Sequence, residues 1–272
     1  MLKKILNILS WLLIFSYLFI TLGFVSEKQN QVSCDSLNIR IIDTTGNNFV
    51  NYNDIKNMFS DRKVNLLGKA INKINLAQLE SIIYQNSSVK NVEVYKDFGI
   101  LTIEIEQRNP ILRIINRYNH SFYIDYDGGL MPFSNKYTAR VLVANGYINN
   151  LYYKCNTKDL LKINNEEDSL KSVNLLNKLF TIAKYIYNDK FLNAQIEQIY
   201  INENNEIEMI PKIGSHLIIF GDIYNVVEKF RNLKAFYHHK INSVGWNKYS
   251  IINLKYKNQV VCTKNLYYDT KK

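Results

Sequence analysis

Only three cysteines occur in the 272 residues, Cys34, Cys155 and Cys262. An odd number spaced so widely supports neither a disulfide framework nor a CxxC metal site, and leaves one bridge or idle thiols as the readings. Cys34 is not a lipid-attachment cysteine, because Gln31 stands where a lipobox carries leucine. Histidine is also sparse: His120, His216, His238 and His239. The adjacent pair would point about 100° apart on a helix and no Glu-x-x-His accompanies it, so local spacing builds no zinc site. A G-x-S-x-G elbow, a phosphate-binding loop and a dinucleotide-binding glycine fingerprint are all missing. Lys and Arg total 34 against 24 acidic residues, a net charge of +10, yet no basic run tracks a phosphate backbone. The reading is a solvated basic surface, with no cofactor, metal or nucleic acid, and a protein that is not an enzyme.

What is present is ordinary for a folded chain: 47% hydrophobic and 21% charged residues, enough for two small domains with their own cores. Before them comes "MLKKILNILSWLLIFSYLFITLGFVSEKQ", in which Lys3 and Lys4 precede an uncharged run from Ile5 to Val25. About 20 helical residues at about 1.5 Å each cross a hydrocarbon layer of about 30 Å, so one crossing is expected. A signal peptide would have a shorter apolar core and an A-x-A-like site, for which Thr21-Leu22-Gly23 is a poor substitute, so the segment is read as an uncleaved anchor. The lysines hold residues 1–4 in the cytoplasm and send everything after Glu27 across the membrane.

After a polar linker, residues 26–36, "LNIRIID" alternates Leu37, Ile39 and Ile41 with Asn38 and Arg40, a strand. "NYNDIKNMF" offers Asn51 or Asn53 as N-cap to a helix carrying Ile55, Met58 and Phe59. In "NLAQLESIIYQN", Asn75 caps a second helix with Leu76, Leu79, Ile82 and Ile83 as its stripe. "VEVYKDFGILTIEIEQRNP" then reads as a hairpin: Val92 and Val94, a turn with Asp97 and Gly99, and a return strand with Leu101, Ile103 and Ile105 inward. Thr102, Glu104 and Glu106 fall on the opposite, wet face, so the two glutamates are strand charges rather than an acid/base pair. Pro110 cannot donate to a ladder and marks a strand end and a domain junction.

The second half begins with a strand through Phe122 and Ile124 and a turn at Asp125-x-Asp127-Gly128. A calcium loop would need a glutamate where Lys136 stands, so this is read as a hairpin turn. "ARVLVANG" is a strand, and a helix from about Glu167 to Tyr187 buries Val173, Leu176, Leu179, Phe180, Ala183 and Ile186. "IEQIYINENNEIEMIP" and "SHLIIFG" form a three-stranded meander. A helix from about Ile223 to His238 buries Val226, Val227, Phe230, Leu233 and Phe236, and "YSIINLKYKNQVVCTK" closes as two short strands or one bent strand.

The β-α-α-β-β order closed by "SVKNVEVYKDFGILTIEIEQRNPI" resembles the POTRA domain of the FtsQ/DivIB cell-division family, whose Glu-Arg-x-Pro-like ending is matched by Glu106-Gln107-Arg108-Asn109-Pro110 with one residue inserted. The second half resembles that family's β domain through Asp125 and Gly128, through the strand between Gly214 and Gly221, and through Asn253-Leu254-Lys255-Tyr256, where the family carries an Asp-Leu-Arg-Tyr-like strand. The expected fold is therefore α+β: a transmembrane helix at 5–25, a POTRA domain at 37–110, and at 111–264 a mixed α/β domain built on an antiparallel sheet, followed by a tail at 265–272.

The resemblance implies a bitopic inner-membrane divisome scaffold at the septum whose final strands meet the FtsB/FtsL coiled-coil pair. If Gln259 to Thr263 form a last strand with a free edge, a partner segment adds a strand there. The expected contact surface is Asn253, Lys255, Tyr256, Val260 and Val261, with Tyr256 as aromatic anchor; one of the two adjacent valines must face away. The alternatives are an anchored extracytoplasmic enzyme, such as a wall hydrolase, and a translocation factor; the second usually carries several POTRA repeats or a β-barrel.

Overall fold

The computed structural model describes residues 7, 9–21, 32–42, 46–149 and 167–266. The expected cytoplasmic tail, residues 26–31 of the linker, Cys155, and residues 267–272 lie outside them, as do residues 5, 6, 8 and 22–25 of the expected span. Helix α1 is described over residues 9–21. Among the described residues no helix is long and apolar enough to cross a membrane. The chain divides into two compact units, Met1–Gln107 and Arg108–Lys272.

In the first unit β1 (Ser36–Ile42) is followed by α2 (Tyr52–Asp61), α3 (Leu76–Tyr84), β2 (Val89–Asp97) and β3 (Ile100–Gln107). Asn51 is the cap of α2: its side chain accepts from the Asp54 amide while Asp54 reaches back to the Asn51 amide. Asn75 caps α3 by accepting from the Gln78 amide. The strands order β1-β3-β2, with β3 in the middle, parallel to β1 and antiparallel to β2. The alternation of β3 puts Leu101, Ile103 and Ile105 at 0% exposure, and Ile55, Phe59, Leu79 and Ile83 of the two helices are buried as well; each such side chain contributes about 1.5–3 kcal/mol by leaving water. On the other face Glu104 takes Arg40 and the Tyr95 hydroxyl, and Glu106 takes Lys90. Thr102 departs from the expected wet face and is buried. It sits on the central strand, between Asn38 and Tyr95, and a short side chain there is covered by longer neighbours.

Among the described residues the second unit is one nine-stranded sheet whose side chains and those of its helices share one core. Its strands are β4 (Pro110–Ile115), β5 (Ser121–Asp125), β6 (Leu130–Pro132), β7 (Leu142–Gly146), β8 (Ile196–Ile201), β9 (Ile207–Pro211), β10 (Leu217–Gly221), β11 (Tyr249–Asn253) and β12 (Val261–Lys264). Helices α4 (Glu167–Asn188) and α5 (Lys190–Gln195) lie between β7 and β8, and α6 (Val226–Phe236) lies between β10 and β11. The sheet order is β12-β11-β10-β9-β8-β7-β4-β5-β6.

Three expectations are corrected. The sheet is mixed, not antiparallel: β4–β7, β7–β8 and β10–β11 are parallel. The last two connections run through helices, and a parallel pair needs such a crossover, whereas short turns make the antiparallel pairs. Pro110 opens β4 rather than closing the preceding strand, a first-residue position where its missing donor is tolerated. Val227 is 65% exposed. The buried stripe of α6 runs through Phe230 and Leu233 to Tyr237, with Val226 half-buried, and Val227 sits about 100° off it. Leu176, Leu179, Phe180, Ala183 and Ile186 of α4 are buried as the periodicity expects; Val173 lies outside the described side chains.

The β5–β6 turn is locked by a buried ion pair. Arg108 Nη1 meets Asp125 Oδ2 at 2.7 Å, with the side chains 9% and 2% exposed. Asp125 Oδ1 accepts from the amides of Asp127 at 2.9 Å and Gly129 at 2.6 Å. A Cβ on Gly129 would lie 2.0 Å from Arg108 Nη1, so only glycine fits. Asp125 therefore serves the turn, as its spacing to Gly128 suggests. Asp125→Ala strands a buried guanidinium and two amides and is expected to lower the stability of the second unit by about 3–5 kcal/mol. Arg40→Ala, at a pair whose arginine is 61% exposed, is expected to cost about 0–1 kcal/mol. Urea denaturation of the two variants in micelles checks the contrast.

Candidate functional site

The expected contact residues all lie in the hairpin of β11 and β12, at one edge of the large sheet. β12 runs antiparallel to β11, with Asn253 opposite Val261 and Ile252 opposite Cys262. Among the described residues nothing pairs with the other side of β12. The opposite edge of the sheet, β6, is three residues long and ends in Pro132, which withholds a donor and blunts that edge. β12 contains no proline and keeps its outward donors and acceptors.

Alternation sorts the side chains of this edge. Cys262 packs against the core and Val261 is 43% exposed. Val260, before the strand, also packs on the core, so of the two valines it is Val261 that faces outward. Tyr256, in the connecting turn, is 54% exposed. That turn closes with Asn258 at φ 59°, a conformation asparagine tolerates. Asn253 is half-buried and its side chain accepts from the Lys255 amide at 3.0 Å. The structure thus gathers Asn253, Lys255, Tyr256 and Val261 on the outer rim and turns Val260 inward. Burial pushes the Cys262 thiol up to about 11, so it is neutral and unreactive at physiological pH.

Sequence reasoning missed the groups behind this rim. Lys255 Nζ pairs with Glu206 at 2.5 Å, which raises the Lys255 pKa through that hydrogen bond even though burial opposes it. Glu206 is presented by a turn built on Asn202, whose side-chain oxygen accepts from the amides of Asn204 and Glu206. Lys229 Nζ reaches the Phe220 carbonyl, the Asp222 carbonyl and Asp222 Oδ1, each at 2.9 Å. Burial pushes the Asp222 carboxyl up, but the Lys229 contacts outweigh it and leave the group below its usual range. These residues surround a cleft of about 220 Å³ that also meets Lys178, Asn205 and Gly221. Gly221 is needed there: at φ +77°, its Cβ would come within 2.8 Å of Lys255 Cγ. The only signal for this cluster was the glycine at the end of the Gly214–Gly221 strand, because Glu206 and Lys255 are 49 positions apart.

The cleft holds paired charges, Lys255 with Glu206 and Lys229 with Asp222. Among the described residues no group of three His, Cys, Asp or Glu side chains could hold a metal ion. The adjacent histidines have no chelating arrangement, and His216 is instead a core residue, 3% exposed, with Nε2 2.7 Å from the Tyr237 hydroxyl.

Two family profiles match the chain. Residues 109–263 match the family described as FtsQ/DivIB, C-terminal related, which is more than half of the chain. Residues 32–106 match the POTRA-like domain. No curated protein matches.

Burial pushes the His216 imidazole below its usual range, and the Trp246 carbonyl acts in the opposite direction without cancelling it. A folded-state value below the unfolded value of about 6.5 means that the unfolded chain binds more protons. The associated stability is present above about pH 6.5 and is lost as the pH falls toward the folded value. The urea midpoint of the second unit is therefore expected to drop between about pH 7.5 and pH 5, and His216→Asn, neutral at both, is expected to lessen the drop.

Proposed function

The chain belongs to the FtsQ/DivIB family of cell-division proteins, and on that premise we propose that it is a membrane-anchored divisome scaffold that captures an FtsB/FtsL-like coiled-coil pair on β12. The family is one of non-enzymatic division scaffolds. The single observation that carries this reading is the unpaired edge of β12, set against the proline-blunted edge of β6. An added strand gains main-chain hydrogen bonds from the edge and specificity from alternate side chains. Val261 and Tyr256 supply the outward apolar and aromatic contacts, of the kind that dominate interface energies. Asn253 and Lys255 flank them, and Lys255 is available to an acidic partner residue if it exchanges Glu206 for it.

Anchoring is supported by the uncharged run from Ile5 to Val25 and by the surface of α1. Trp11, Leu12, Leu13, Ile14 and Phe15 are consecutive and each more than half exposed. Five successive residues go right round a helix, and one that is apolar all round belongs in lipid or a protein core. With Lys3 and Lys4 before the run, both folded units lie on the extracytoplasmic side of the cytoplasmic membrane, and the protein acts at the septum.

Val261→Lys and Tyr256→Ala alter exposed side chains and leave the core intact. Each is expected to weaken copurification with the FtsB/FtsL-like pair by about tenfold, equivalent to about 1.4 kcal/mol; full recovery of the pair by both variants rejects the edge. Depleting the protein is expected to give undivided filaments, and cells that divide at the normal rate would reject the scaffold role.

A further inference from the structure

β2 and β3 are joined by the two-residue turn Phe98-Gly99, with φ of 39° and 86°. Two positive φ values define the mirror-image turn whose twist matches a hairpin, and Asn, Asp and Gly are the residues that take its first position readily. Phenylalanine does not: a bulky L side chain in that region is unfavourable. Its ring is also 96% exposed, so nothing within its own unit rewards the strain. An Asn-Gly turn would relieve both costs. Strain maintained at an exposed aromatic points to a contact outside the fold.

Its place in the topology identifies that contact. β1 and β3 are parallel and start side by side, Ser36 opposite Ile100. The tip of the hairpin therefore lies at the end where the chain enters the domain. The Asp35 amide donates to the Gly99 carbonyl at 2.8 Å, and a Cβ on Gly99 would sit 3.0 Å from the Ser33 carbonyl. The same incoming segment bonds the loop before α3, through Gly68 and Lys69 to Cys34 and through Ile71 to Val32. Leu67 at 56% exposure and Ile100 at 44% accompany Phe98 at this end. Lys69, Lys73 and Lys96 are exposed beside them, against Asp97 and an Asp35 that is bonded to the Ser33 hydroxyl. Upstream, six residues, Ser26 to Gln31, separate Val32 from the end of the apolar run at Val25. At about 3.6 Å per residue that tether reaches at most about 25 Å.

We propose that the Phe98 hairpin tip, with Leu67 and Ile100, is a second contact with the bilayer that holds the anchor. The ring sits at headgroup level, as aromatic residues do at membrane interfaces, and the three lysines face anionic lipid. This contact converts attachment through a six-residue tether into a two-point attachment, so that the first unit stands at a set angle to the membrane. It rests on reading residues 5–25 as a membrane span.

The test uses the full chain in vesicles of phosphatidylethanolamine and phosphatidylglycerol with a nitroxide near the acyl-chain headgroup end. In a Trp11→Phe parent, which retains Trp246, Phe98→Trp adds one indole at the tip. Its emission is expected to be blue-shifted and quenched roughly twofold more strongly than the parent's, as for an interfacial aromatic. Emission of a hydrated indole, quenched no more than the parent's, overturns the proposal and reassigns the tip to a protein partner. Phe98→Asn, expected to raise or leave unchanged the thermal midpoint while exposing the linker to trypsin at Lys28, guards against a purely structural role; a lowered midpoint overturns the proposal. A carbonate wash separates the two readings. A parent chain that is stripped from the vesicles removes the span and the tip contact together, whereas a retained chain with an unquenched tip removes the tip contact alone.

Discussion

The second unit depends on one buried ion pair. Arg108 and Asp125 meet at 2.7 Å where β4 begins and β5 ends, and the second oxygen of Asp125 shapes the turn into β6. β4 is also the strand on which β7 registers, Leu112 opposite Leu142, and β8 registers on β7. From β7 on, each later strand is laid against the one before it until β12. The pair is not an economical source of stability, since desolvating two charges costs much of what their attraction returns. Its contribution is register: a slip by one residue would send every core side chain of β4 to the wrong face.

That ladder ends differently on its two sides. At β6 the ending is a proline; at β12 it is a row of main-chain groups unpaired among the described residues. Unprotected edges invite association, and folded proteins suppress them unless association is wanted. Buried polar groups of the unit include Arg108 with Asp125 and His216 with Tyr237. Two surface features stand out, the β12 edge in one unit and a strained hairpin tip in the other.

The periodic parts of the fold were legible in the sequence because burial imposes a period. Leu101, Ile103 and Ile105 alternate, the α4 stripe recurs at helical spacing, and Asn51 and Asn75 announce their helices by capping them. Thr102 was misjudged because a central strand is covered by its neighbours' longer side chains, a two-dimensional effect absent from any one strand. The parallel pairings were also missed, since strand direction follows from how crossovers wrap, not from alternation. At the candidate site, Tyr256 and the paired valines stood out as apolar residues near the end of the chain. Glu206 and Asp222 did not, because they reach the rim only when separate strands are stacked.

The sequence by itself determined the hydrophobic run at the start, most of the strands and helices though not β4 or α5, and the turn residues, all consequences of short-range periodicity and residue type. Only the tertiary structure decided which of Val260 and Val261 faces outward, which strands form the two sheet edges, that Arg108 finds Asp125, and that Phe98 crowns the end where the chain comes in. The reason is common to all four: edges, faces and ends are properties of neighbouring strands, and neighbours are set by long-range registration that no local pattern encodes.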